Sequence, residues 1–117
     1  ELLEDLREGL RRRFQELLGE SRRLGELVSG RSAVVHAAKS GALELVLLAN
    51  SAGESIRRRA RQLDEETEAT LIDQLPEDIS AAVFGDKIVI LGLPHGALAE
   101  RVGRTAEKLM CMNQKEG

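Results

Sequence analysis

The sequence predicts an α/β fold: a three-layer α-β-α sandwich in which helices and strands alternate around a central four-stranded mixed sheet. Three observations carry this. Apolar spacing switches between helical and strand-like periods along the whole chain, a pattern that needs a sheet with helices on both faces. The run Leu43–Ala49 is almost continuously aliphatic, as expected of a strand covered on both sides. The 117 residues, 42% hydrophobic and 32% charged, suit one globular domain rather than a disordered chain. With two Phe and no Tyr or Trp, the core must be built from Leu, Val, Ile and Ala.

Taken in order, Leu3, Leu6, Leu10, Phe14, Leu17 and Leu18 recur at spacings of three and four, with Glu1, Asp5, Glu8 and Arg11–Arg13 on the remaining surface. This reads as an amphipathic helix over residues 1–18, acidic early and basic late, the order that the helix dipole favours. Gly19 or Gly25 is placed to interrupt it. Leu27–Val28 reads as a very short strand and Ser29–Gly30 as a turn. A helix is expected from about Arg31 to Ser40, capped by Ser29 or Ser32 and closed by Gly41. After the strand Leu43–Ala49, Ser51 and Glu54 have capping-box spacing and are expected to open a helix carrying Ile56, Arg57, Arg58, Arg59 and Arg61. Asp64–Glu68 reads as a solvated acidic loop, Ala69–Leu75 as a third strand, and Pro76–Gly85 as a short helix with proline in its first turn. Lys87–Leu93 supplies the fourth strand. A final amphipathic helix, from about Gly96 to Met110, aligns Leu98, Val102, Ala106 and Leu109.

The net charge of −3 hides an asymmetry. Residues 1–61 carry 12 Lys/Arg and 9 Asp/Glu, a balance of +3; residues 62–117 carry 5 and 11, a balance of −6. A basic first half points to an anionic partner. Without Tyr or Trp there is no aromatic platform for stacking bases, so any RNA contact must rely on backbone N–H groups, Arg, Lys and small polar side chains.

Catalytic chemistry finds no foothold. His36 and His95 have no Ser or Cys elbow beside them, and Gly92–Gly96 matches neither phosphate-loop pattern. A single cysteine, Cys111, gives no internal disulfide and no Cys-based zinc site, and the acids of Asp64–Glu68 lack EF-hand spacing. The expectation is a non-enzyme with no cofactor and no metal. Apolar runs such as Leu45–Ala49 and Ile88–Leu91 fall far short of the roughly 20 residues that span a bilayer, and no leader is evident. A cytoplasmic protein without a membrane partner is therefore expected.

The segment Leu17–Ala52 resembles the ribosomal-protein superfamily of the archaeal L-seven-Ae and eukaryotic L-thirty-e type. The family's order is a helix with a glycine step, then "LVSG", then a helix ending in a basic residue and Gly, then an apolar strand ending "LAxDA". Here these are Leu24–Gly30, Lys39-Ser40-Gly41 and Leu45–Ala52, and the Gly30 to Gly41 spacing matches without a gap. Pro76–Gly85 is similar to the family's short "ELGxAxG" helix, and Lys87–Leu93 to the strand behind it. The likeness spans roughly Leu17 to Met110. Within the superfamily the chain is most similar to the bacterial version found behind a YlxR-type domain. That context would account for a start without Met: residues 1–18 would be an N-terminal helix linking to a preceding domain, and 19–117 the RNA-binding domain proper.

The resemblance implies binding of structured RNA, such as ribosomal RNA or a kinked stem, in a translation-associated role. Family members read kink-turn RNA with a Gly-Ala-Asn-Glu run at the start of the helix after the "SG" turn, and with a Lys further along it. Carried across, these positions are Gly30, Arg31, Ser32, Ala33 and His36. Ser32 and Ala33 thus stand where the family has its base-reading Asn and Glu, and a histidine replaces the permanently charged Lys. What remains is a glycine that permits close approach, a helix start that offers N–H groups to phosphate, and the charges of Arg31 and Lys39. Lys87, where the loop that lines the RNA in the family enters the last strand, completes the RNA-binding set that the resemblance implies. The competing expectation is a protein-interaction module that kept the fold and lost the RNA-reading face, with a partner on the Leu/Arg face of the first helix.

Overall fold

The computed structural model describes the backbone of residues 2–75 and 89–116. Along these the chain forms α1 (Leu2–Arg23), β1 (Val28–Ser29), α2 (Arg31–Lys39), β2 (Leu43–Ala49), α3 (Glu54–Glu66), β3 (Thr70–Leu75), β4 (Ile90–Pro94) and α4 (Ala97–Glu116). The helix expected over Pro76–Gly85, together with Lys87 and Ile88 of the expected fourth strand, lies outside the described residues.

The four strands form one sheet in the order β1-β4-β2-β3. β4 runs antiparallel to both its neighbours, while β3 is parallel to β2. The sheet is therefore mixed, and β1, β2 and β3 all end at the same edge, where β4 begins. Helices cover both faces, giving the three-layer α/β architecture. On one face Phe14, Leu17 and Leu18 of α1 and Ala99, Val102, Ala106 and Leu109 of α4 close over Leu45, Leu47, Ile72, Leu91 and Leu93. On the other, Val34 and Ala38 of α2 and Ala60 and Leu63 of α3 close over Val46, Leu48 and Ile90. The core is aliphatic, as the composition requires, with Phe14 its one described aromatic.

Leu43 departs from simple alternation, because it joins Val46 and Leu48 rather than Leu45 and Leu47. The β2–β4 register shifts between Leu43 and Leu45, and that shift turns Leu43 to the α2 side. It packs over Gly92, where an added Cβ would lie 2.6 Å from Leu43 Cδ1. Glycine in this strand marks a close approach rather than a bend.

The structure moves several element ends. α1 continues past residue 18 and through Gly19 to Arg23, because Leu17, Leu18 and Ser21 are all buried and Ser21 satisfies its hydroxyl on Leu17 O at 2.9 Å. It stops at a Schellman turn: Glu26 N–H donates to Ser21 O, Gly25 N–H to Arg22 O, and Gly25 takes φ 72°. α2 closes in the same way at Gly41, as expected. Neither Ser29 nor Ser32 caps α2; Gly30 holds that position with no side-chain cap. The capping box at Ser51 is also absent. Ala52 N–H donates to Ala49 O at 3.0 Å, which folds Ser51 into a tight turn and leaves Gly53 as the N-cap of α3. The acidic stretch expected as loop is helical through Glu66.

Two glycine substitutions are expected to have opposite signs in thermal or urea unfolding. A Cβ at Gly19 would meet only the Arg23 guanidinium at 3.8 Å, so Gly19→Ala should stabilise by about 0.5–1 kcal/mol through helix propensity. Gly92→Ala must displace the buried Leu43 side chain and should destabilise by about 1–3 kcal/mol.

Candidate nucleic-acid interface

The expected site forms where β1 hands over to α2. Ser29 ends β1 in register with Leu91 of β4, and Gly30 N–H donates to Ile90 O at 3.2 Å. Gly30 then adopts φ 93° and ψ 153°, a conformation that only glycine enters readily, and the helix begins at Arg31. The first intrahelical bond runs from Val34 N–H to Gly30 O at 3.0 Å. The amides of Arg31, Ser32 and Ala33 precede it, and no side chain caps them. Arg31, Ser32 and Ala33 are all exposed, and the first turn of α2 contains no acidic residue. This end of the helix thus offers N–H donors and one guanidinium with no carboxylate on its own first turn to compete.

Further along α2, Ser32, His36 and Lys39 lie at helical intervals of four and three, so they form one exposed stripe while Val34 and Ala38 bury the opposite side. Lys39 stands about 12 Å along the axis from Arg31. Among the described residues none of Arg31, His36 and Lys39 takes part in an ion pair. Lys87 lies outside the described residues. Two residues later the chain is fixed at this edge, where Val89 O accepts from Ala49 N–H at 2.9 Å and Ile90 O accepts from Gly30 N–H.

One residue of this edge differs from what the sequence suggested. Arg57 stands in sequence beside Arg58, Arg59 and Arg61, a run that reads as a basic helix face; in the structure it is 8% exposed. Its guanidinium donates to the Asp73 carboxylate and to the carbonyls of Asn50 (3.3 Å) and Ala52 (3.2 Å). Two signals were available. Arg57, Ala60 and Leu63 recur every three residues along α3, which places Arg57 on the inward stripe. Asp73, inside the strand Thr70–Leu75, is a residue type that strands disfavour without a partner.

Two clefts lined by described residues lie away from this edge. One of about 350 Å³ sits between β3 and α4, lined by Ile72, Glu107, Met110 and Cys111 among others, and includes none of the expected site residues. Among the described residues no group of three or more His, Cys, Asp or Glu is placed to hold a metal ion, and no helix is long and apolar enough to cross a membrane.

Comparison with solved structures places this architecture. The chain is similar to a protein of unknown function from Bacillus halodurans, with a TM-score of 0.72 and 19% identity over 80% of this chain and 96% of the other. It is similar to a 15.5 kD RNA-binding protein of Giardia lamblia, with a TM-score of 0.65 and 15% identity over 89% of this chain and 90% of the other. It also matches part of an archaeal translation termination factor, with a TM-score of 0.51 and 20% identity over 68% of this chain and 23% of the factor. No protein-family model and no curated protein matches. At these identities the likeness defines the fold: an α/β sandwich shared with an RNA-binding protein and with a portion of a translation factor. It agrees with the α/β sandwich that the sequence predicts.

The backbone at Gly30 gives a direct check on this geometry. Gly30→Ala forces a Cβ into a conformation that L-residues rarely adopt, although among the described residues no neighbour lies within 4 Å of it. The expected loss is about 1–3 kcal/mol from strain alone, read by thermal unfolding.

Proposed function

We propose that this chain is a non-catalytic RNA-binding domain acting on structured RNA, ribosomal RNA or a kinked stem, in a translation-associated role in the bacterial cytoplasm. The observation that carries the reading is the start of α2, where three uncapped amides, a glycine at φ 93° and the exposed Arg31 meet at the edge shared by the ends of β1, β2 and β3. The fold held in common with an RNA-binding protein supports it.

In this reading Gly30 lets a phosphate approach the backbone, and the amides of Arg31, Ser32 and Ala33 donate to it. Arg31, His36, Lys39 and Lys87 contribute charge along the RNA. Binding is dominated by the RNA backbone, because Ser32 and Ala33 lack the amide and carboxylate that read base edges. The chain would follow a YlxR-type domain, and residues 1–18 would link the two.

A second reading, a protein-interaction module, draws on Leu2 and Leu6. They lie one turn apart on α1 and are 76% and 56% exposed.

The test is RNA affinity across a salt series for the wild type and an Arg31→Ala/Lys39→Ala/Lys87→Ala variant. The RNA reading expects salt-dependent binding whose log–log slope falls by about 1 for each phosphate contact removed, together with at least tenfold weaker affinity. No affinity for any structured RNA, with protein capture that depends on Leu2 and Leu6, would support the second reading instead.

A further inference from the structure

β2 ends in a tight turn, closed by the bond from Ala52 N–H to Ala49 O, with exposed Asn50 and Ser51 at its corner. Ala49 N–H donates to Val89 O, just before β4, and Gly30 N–H to Ile90 O, the first residue of β4. The turn and the start of α2 therefore flank one strand and stand two strand spacings apart, about 10 Å.

The turn's inner side is held by a single buried cation. Arg57 Nη2 donates to the carbonyls of Asn50 and Ala52, Nη1 donates to Asp73 on β3, and the Arg57 side chain is 10% exposed. Asp73 Oδ2 also lies 4.0 Å from Arg61 Nη2. This guanidinium ties together the first turns of α3, the corner after β2, and β3. Stability alone is a weak reason for such a pair, since well-packed apolar residues in its place are often no less stable. Its particular effect is geometric. A planar fork with several donors draws two carbonyls inward at once, which leaves the corner's side chains facing solvent.

We propose that Arg57 is a positioning residue of the RNA-facing edge, fixing the Asn50–Ala52 turn to β3 so that the turn and the start of α2 present one rigid surface to RNA. This rests on the RNA-binding reading above. Arg57 itself touches no RNA in this account.

The test uses the whole chain with two variants. Arg57→Lys keeps a charge for Asp73, but its compact ammonium cannot reproduce the fork. Arg57→Met/Asp73→Leu removes both charges together, so that no lone buried ion threatens the fold. Two quantities are read: amide exchange at Ala52, and affinity for a labelled kink-turn stem across a salt series, with an unstructured RNA of equal length as comparison.

In both variants the expected result is exchange at Ala52 at least tenfold faster and kink-turn affinity roughly 3- to 30-fold weaker, with an unchanged salt slope because no phosphate contact is lost. A slope lower by about 1 would make Arg57 a direct phosphate contact and overturn the positioning role. Unchanged affinity, or unchanged exchange, would also overturn it. Wild-type protein without affinity for either RNA would defeat the RNA reading by itself; exchange at Ala52 would still show whether Arg57 holds the turn.

Discussion

Every residue of β2 except Glu44 is buried, and the side chains of this strand enter two separate apolar clusters, one under α1 and α4 and the other under α2 and α3. A strand with no solvated face needs a helical layer on each side and a hydrogen-bonded neighbour along each edge. β4 supplies one edge antiparallel and β3 the other parallel. The parallel partner requires a crossover, which α3 provides, and the crossover puts the end of β2 and the end of β3 at the same edge of the sheet. β1 ends there as well, because β4 lies antiparallel between it and β2.

That edge carries the turns leading into α2 and α3, each helix opening on a glycine without a side-chain cap. In open α/β sheets, ligands gather outside the carboxyl ends of the strands. Here the start of α2 brings uncapped backbone N–H donors and the exposed Arg31 to those ends, a combination suited to an anionic group. The charge asymmetry of the sequence is consistent with this, since Arg31 and Lys39 fall in the basic half and the groove beside β3 and α4, with Asp73 and Glu107, falls in the acidic half. Net charge alone would have pointed away from RNA; its distribution points toward it.

The sequence was most legible where hydrophobic period and backbone requirement coincide. Leu43–Ala49 was read with both ends correct, since continuous burial needs a continuous aliphatic run. Gly41 marked the end of α2 because a Schellman turn needs φ near 80° at that residue. Local polar signals misled. Ser51 and Glu54 have the spacing of a capping box, yet the Ala49–Ala52 turn moves the helix start two residues on, and Gly53 opens α3. Gly19 suggested a break, but the burial of Leu17, Leu18 and Ser21 outweighs a propensity penalty of about 1 kcal/mol. Four arginines in five positions look like a solvated face, whereas the spacing of Arg57 with Ala60 and Leu63 and its partner Asp73 put Arg57 inside. At the site itself the helix start and its glycine were legible, whereas the turn that flanks them depends on a contact between α3 and β3, of which the sequence shows the inward arginine and the strand aspartate but not their pairing.

The central claim is that RNA contacts the start of α2 through its backbone amides. Titrating isotope-labelled protein with a structured RNA stem, and following amide resonances, tests this most directly. The account predicts that the largest shifts fall on Gly30, Arg31, Ser32 and Ala33, with smaller ones along His36 and Lys39, and that they fade as salt is raised. Saturable shifts confined to α1 and α4, or an unperturbed Gly30–Ala33 segment in the presence of bound RNA, would contradict it.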